Sequence, residues 1–440
     1  MLRYYLLLGV RNLVRSPLLT GLMVLTLAVG VAASISTLTI LHVMSGDPIP
    51  HKSDRLLVPL VDNGPVRNYV PGTQPDDRQL SYRDAANLRR SGQGMRRTAI
   101  YDVAGAIEPE RPDLPVDQAA GLAVDADFFA MFEVPFLRGA PWTAAEDASR
   151  ARVVVLGKSR AEKTFGAQDA LGKTLRMFGQ DFRVVGVLDT WRPVPRYPRL
   201  QNGSGGALAG EDGIYIPFAT ATDLEIPNTA STSCDQDAAP KAGYAGFLDS
   251  ECTWIQFWFE IASSSDRAAL HQHLTRYAAE QRRLGRLPRD APVQLFDVME
   301  WLRYMNVVSN DARLATWLAF GFLVLCLVNT TGLLLAKFSS RAPEVGVRRA
   351  LGATRGAIIR QFLAEAAVVG LAGGLVGLLL SLGALALIAQ QARQLSMVAR
   401  MDWVMLGTTF LIALATSLLA GLLPTWRAAQ VTPALQLKSQ

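Results

Sequence analysis

Three cysteines and four histidines in 440 residues leave little material for a metal centre or a nucleophile–base pair. Cys234, Cys252 and Cys326 do not stand near His42, His51, His271 or His273 at zinc-ligand spacing, so no metal is expected. No G-x-S-x-G elbow occurs, and His271 and His273 read as solvated positions on a charged helix, so no catalytic residue is assigned. An intact phosphate-binding loop is also missing. Gly166-Ala-Gln-Asp-Ala-Leu-Gly-Lys-Thr174 comes close, but the glycine required five residues before Gly172 is Ala167, and the stretch precedes a strand instead of opening a long helix. It reads as a turn, and no cofactor is expected on this chain. The most informative absence is of charge. Residues 16–46, 314–336, 366–392 and 403–426 contain no Asp, Glu, Lys or Arg. Spans without ionisable groups argue against a proton- or ion-coupled carrier, which keeps such a group at membrane depth.

Half of the residues are hydrophobic, and each charge-free run reaches the ~20 residues that cross a bilayer as a helix. The fold class expected is a membrane protein of four transmembrane α-helices. A large α+β domain is expected between helices 1 and 2. The organisation reads as an amphipathic N-terminal helix (1–16), helix 1 (17–44), an exterior domain with a stalk (45–311), helix 2 (314–336), a polar loop (337–365), helix 3 (366–392), a short loop (393–402), helix 4 (403–426) and a tail (427–440). A signal peptide in place of helix 1 is disfavoured, because its apolar run exceeds the ~7–15 residues of a signal core.

The net charge of +6 does not indicate nucleic acid, because its distribution follows the spans. Residues 45–310 carry 30 basic and 34 acidic side chains; the rest of the chain carries 14 and 4. By the positive-inside rule, the segment with Arg3, Arg11 and Arg15, the loop 337–365 and the tail with Arg427 and Lys438 lie on the cytoplasmic side. The 45–311 domain then lies outside. An oxidising exterior permits a Cys234–Cys252 disulfide, two free thiols being the alternative. Cys326 reads as a packing residue.

Along the exterior domain, strands are expected at Arg55–Leu60, Arg97–Tyr101, Gly121–Val124, Ala151–Leu156, Thr174–Met177 with Asp181–Leu188, Tyr215–Pro217, Thr253–Ile261 and Val293–Phe296. Helices are expected at Ser81–Arg90, Asp125–Phe132, Ser159–Phe165 and Ser265–Arg283. The pattern allows two subdomains. Residues 192–213, rich in Pro and Gly, read as a loop or mobile flap. Residues 219–252 read as an insertion held by the cysteine pair. The stretch 297–310 reads as a helix running straight into the second span as a stalk. Asn329, Thr330 and Thr331 are the main polar cluster in a span and are expected to bind helices together. Gly370, Gly373, Gly374 and Gly377 give two overlapping small-xxx-small pairs, expected on one helix-packing face.

One polar stretch lies between two long apolar runs: Arg341-Ala-Pro-Glu-Val-Gly-Val-Arg-Arg-Ala-Leu-Gly-Ala-Thr-Arg355. Pro343 can open a helix. Glu344 suits its positive end, and Gly352 can stop it. This stretch, the ending Pro424-Thr-Trp-Arg-Ala-Ala-Gln-Val-Thr-Pro-Ala-Leu435 and softer exterior pieces such as Asp127-Phe-Phe-Ala-Met-Phe132 resemble MacB-type ABC transporter permeases of the FtsX-like family. The resemblance covers nearly the whole chain.

It implies a permease subunit without a fused ATPase domain, in the bacterial inner membrane, with both termini cytoplasmic and the large domain periplasmic. It implies mechanotransmission: ATP and Mg are bound by a partner ABC ATPase, whose hydrolysis drives a periplasmic conformational change and export of a substrate. Glu344, Val345, Gly346, Arg348, Arg349, Leu351 and Gly352 would be the coupling contacts. Anionic lipid headgroups are the alternative partner for Arg348 and Arg349. A second permease, as homodimer or heterodimer, and a periplasmic adaptor are the further partners implied. Alternatives within the resemblance are lipoprotein release and an FtsX-like transducer that regulates an envelope hydrolase.

Overall fold

The computed structural model describes residues 16–64, 66, 69–73, 79–108, 116–166, 168–200, 210–234, 240–391 and 403–430. The amphipathic segment 1–15, the loop 393–402 and most of the tail lie outside the described residues. The chain divides into two compact units, one formed by residues up to Ser45 together with those from Val308 onward, the other by Gly46–Val307.

The first unit is a bundle. Four of its helices are long and apolar enough to cross a membrane: Pro17–Ser45, Asn310–Ser339, Arg355–Gln391 and Trp403–Ala429. The third begins well before the charge-free run at 366, because its polar first turns are as helical as the apolar ones that follow. The polar loop 337–365 is therefore mostly helix. The first span is the most enclosed, half buried over its apolar window against about a third for the others.

Lipid gives helices no hydrophobic reason to associate, so contact depends on close approach and hydrogen bonds. The glycines show where. A methyl group on Gly370 would sit 1.9 Å from Ser417 Oγ, and one on Gly374 2.8 Å from Ala413 Cβ, both on the fourth span. On Gly373 it would meet Leu27 Cβ at 3.1 Å, and on Gly377 Ala28 O at 3.0 Å, both on the first span. The two pairs thus serve two faces and two neighbours, not one face. The pairs are offset by three residues, which turns one about 60° around the helix from the other. Gly30 lets the second span approach the first at Cys326 and Leu323. Ser34 Oγ donates to Ala319 O at 3.1 Å, and Ser36 and Ser381 hydroxyls lie 3.1 Å apart. The Asn329–Thr331 cluster does not act as expected. Thr330 and Thr331 hydroxyls return to their own helix, at Cys326 O and Leu327 O, and Asn329 is exposed.

The second unit is built on one mixed sheet of eleven strands, ordered β11-β1-β10-β3-β4-β9-β6-β8-β5, with β2 on β10 and β7 on β3 and β8. The strands are β1 (Leu56–Leu60), β2 (Leu80–Ser81), β3 (Arg96–Glu108), β4 (Asp117–Val124), β5 (Phe136–Gly139), β6 (Val153–Leu156), β7 (Thr174–Met177), β8 (Gln180–Leu188), β9 (Ile214–Pro217), β10 (Thr253–Glu260) and β11 (Gln294–Phe296). β4–β9 and β6–β8 are parallel. No division into subdomains appears, because the 13-residue β3 pairs with β10 at its start, with β4 along most of its length and with β7 at its end. Gly121 is required where β4 meets β9: a Cβ there would lie 1.8 Å from Ile214 O.

Strand β10 departs from its sequence pattern. Its apparent alternation suggests one wet face, yet all eight residues are buried. It lies inside the sheet, and its polar side chains are paired: Glu260 with Lys52 (2.9 Å) and Arg96 (3.0 Å), Gln256 with the Leu200 N–H (3.0 Å). That last bond explains why the expected flap is no flap in its first half. Tyr197, Arg199 and Leu200 are buried, Trp258 Nε1 donates to Pro198 O at 2.9 Å, and Arg199 Nε meets Asp102 at 2.5 Å. Asp125 does not cap the 127–131 helix with its side chain. It accepts the Ala99 N–H and so ties that turn to β3. The helix Ala144–Ala148, with its Thr143/Glu146 capping box, escaped the periodicity reading because one turn has no period.

The continuous stalk is broken. A helix runs from Val298 to Tyr304, Asn306 takes a left-handed φ of 50°, and a new helix starts at Asn310 with Ser309 as its cap. Cys234 and Cys252 are bonded, 18 residues apart, beside the Ser233–Thr253 bridge.

Leucine at Gly370 or Gly377 should destabilise the bundle by about 1–3 kcal/mol through overpacking. Alanine at Gly383, where nothing lies within 4 Å, should be tolerated. Thermal unfolding in detergent separates the two classes, and equal melting shifts would contradict the packing assignment. Opening the disulfide by Cys234→Ser with Cys252→Ser should cost about 3 kcal/mol for a loop of this length, read from denaturant midpoints.

Candidate functional site

The polar stretch between the second and third spans forms a short helix, Ala342–Ala350, with Pro343 in its first turn. Proline costs nothing there, since that N–H has no helical partner. Arg341 precedes it. Gly352, at φ 94°, ends it, donating to Arg349 O while the Ala353 N–H reaches Arg348 O. Thr354 then caps the third span through the Ala357 N–H.

The helix has two faces. Val345 and Gly346 point inward, and Val345 joins Phe338, Ile358 and Phe362 in an apolar cluster whose two phenyl rings lie 4.2 Å apart. Arg348 bonds Glu344 at 2.6 Å, one turn back, and Gln361 at 2.9 Å on the third span. Arg341 Nη1 lies 3.1 Å from both oxygens of Glu365, which is 1% exposed. Lys337 Nζ donates to Thr20 Oγ1 of the first span at 3.1 Å. Outward, Val347 is 55% and Leu351 82% exposed, Gly352 is exposed and Arg349 is half-buried.

Of the seven residues singled out from the sequence, Val345 and Gly346 are therefore interior, Arg349 is half-buried, Glu344 and Arg348 are exposed and paired with each other, and Leu351 and Gly352 are exposed. Val347 belongs with them. Glu365 and Arg341 were missed as a pair because 24 residues and a turn separate them; an acid in the first turns of an otherwise apolar helix was the available signal.

The exterior unit carries a second feature, a cleft of about 780 Å³ whose lining includes Tyr82, Arg89, Asp125, Asp127, Asp147 and Tyr244. Arg89 pairs with Asp125 at 2.5 Å. Burial raises the pKa of Asp125 against that attraction, and burial together with the nearby Asp125 charge pushes Asp147 up to about 7. Among the described residues, no group of three or more His, Cys, Asp and Glu is placed to hold a metal ion.

A bundle of four membrane-crossing helices with a large mixed α/β domain inserted after the first, and a clamped polar helix after the second, defines a membrane permease with an exterior domain. Residues 20–277 match the family described as MacB-like periplasmic core domain, and residues 317–433 match FtsX-like permease C-terminal. The chain belongs to the MacB-like, FtsX-like family of ABC transporter permeases, and its Gly46–Val307 unit is a periplasmic domain. It is 26% identical over 318 residues to the pyoverdine export ATP-binding/permease protein PvdT of Pseudomonas aeruginosa, covering 72% of this chain and 42% of that protein. It is 24% identical over 316 residues to the macrolide export ATP-binding/permease protein MacB of Marinobacter nauticus, covering 70% and 41%. The chain thus spans less than half the length of these relatives. The periplasmic region of MacB from Actinobacillus actinomycetemcomitans aligns over 60% of this chain and 96% of that one, with a TM-score of 0.37 and 14% identity.

The raised pKa of Asp147 has a defined sign. The folded chain keeps this proton up to about pH 7, whereas the unfolded chain loses it near pH ~4. Folding therefore takes up a proton between those values, and the Asp147 contribution to stability falls as pH rises through that window. Asp147→Asn should flatten the fall and stabilise the chain above pH 7. Denaturant midpoints of both proteins at pH 5 and pH 8 test this; parallel pH trends would refute it.

Proposed function

We propose that this chain is the permease subunit of a MacB-type transporter that works by mechanotransmission. A partner ABC ATPase binds ATP and Mg and closes on hydrolysable nucleotide. The Ala342–Ala350 helix receives that movement on its outer face, and the spans carry it to the periplasmic domain, which drives export of a substrate. The observation that carries this reading is the clamped helix with Val347 and Leu351 left exposed at the end of two spans. An apolar pair beside Arg349 suits a protein groove better than water, since burying both removes apolar area worth roughly 25 cal/mol per Å².

The basic residues of the 337–365 segment and the tail support a cytoplasmic position for both, in the inner membrane. The permease works with a second permease copy or homologue and with a periplasmic adaptor. Export is favoured by the relatives, which are named for pyoverdine and macrolide export.

Replacing Val347 and Leu351 together by Asp should reduce ATPase co-purification by about tenfold or more, the loss expected when two apolar anchors are exchanged for charge. Both side chains face outward, so membrane insertion and monodispersity should be unchanged. An undiminished complex would refute the assignment of this face.

A further inference from the structure

A carboxylate among apolar helices is costly and persists where it is paired. Glu365 lies three turns into the third span and is 1% exposed. Its partner Arg341 stands immediately before the short helix, 17% exposed in its side chain. Arg341 acts twice: its carbonyl accepts the Val345 N–H and so starts the helix, while its guanidinium reaches across to Glu365. Both chain connections of the helix are short turns. Ser340 and Arg341 lead in, and Leu351 to Thr354 lead out through Gly352 with its left-handed backbone. Further attachments are Arg348 to Gln361 and the seat of Val345 on Phe362 and Ile358 of the third span, with Phe338 of the second span in the same cluster. The end of the second span is tied to the first by Lys337 on Thr20 and packs on the third through the Phe338–Phe362 rings.

We propose that Glu365 is a positioning residue for coupling: its ion pair with Arg341 fastens the Ala342–Ala350 helix to the third span, so that the two move as one body. A displacement received by the helix is then delivered along the third span and, through the Gly373/Gly377 seam, to the first. It is not dissipated in the turns. This rests on the coupling reading above for its role in transport, but the clamp itself is testable without any ATPase.

Glu365→Gln keeps the shape and removes the charge. In the full chain in nanodiscs, amide hydrogen exchange of residues 342–352 should rise about tenfold relative to wild type, while exchange in the apolar parts of the spans stays the same. The double exchange Arg341→Glu with Glu365→Arg should restore much of the protection. With a co-purified ATPase, Glu365→Gln should keep the complex but lower permease-dependent ATPase stimulation by about tenfold, within the usual range of coupling between sites. Unchanged exchange at 342–352 overturns the clamp. Exchange rising equally throughout the bundle also overturns it, since Glu365 would then hold the fold as a whole. A wild-type chain that captures no ATPase while the exchange result holds would remove the transport reading and leave the clamp standing.

Discussion

Membrane helices must find a reason to touch in a solvent as apolar as they are, and here that reason is backbone approach at glycine. Gly30 opens the first span to the second, Gly373 and Gly377 open the third to the first, and Gly370 and Gly374 open the third to the fourth. The first span becomes the axis of the bundle, the most enclosed of the four. Serine hydroxyls at Ser34 and Ser36 bond neighbouring helices on the same seams, where leucine would hold the backbones apart. The outer faces stay rich in exposed leucine, which suits lipid.

On that frame the polar segment at 341–365 is ordered by charge as well as packing. Its inner face is apolar and closed over by two phenyl rings; its ends are held by Arg341–Glu365 and Arg348–Gln361. Removing one partner of such a buried pair is far more damaging than replacing both, because the remaining charge is left without compensation. The helix is therefore held in place on its inner face and exposes Val347 and Leu351 on its outer one. The periplasmic unit solves an analogous problem differently. Its central strand β10 is buried on both faces, so its polar residues are neutralised inside the protein, Glu260 by Lys52 and Arg96, and Gln256 by the 193–200 segment.

Four spans, a large mixed domain between the first two, and a short helix opened by Pro343 and closed by Gly352 were legible because each rests on local signals: runs without charge, strand-length apolar clusters, and residues with strong backbone preferences. The partition of that helix into faces was less legible. Val345 and Val347 are chemically alike and two positions apart, and only the neighbours Phe338, Ile358 and Phe362 decide which is covered. The same limit explains the flap that is in part an inward strap, since proline content reports an irregular backbone and says nothing of what buries it. It also explains the stalk, where a helical pattern is interrupted at Asn306 and restarted by Ser309.

The sequence by itself determined the membrane architecture, the likeness to MacB-type permeases and the position of the polar helix. These follow from hydropathy, charge placement and short-range backbone preference, which act over a few turns of chain. Tertiary structure decided that the glycine pairs serve different neighbours, that β3 joins the exterior strands into one sheet, and that Arg341 meets Glu365 across a turn. Each of those depends on which surfaces come together in space, and side chains far apart in the chain carry no local mark of the partner that will bury them.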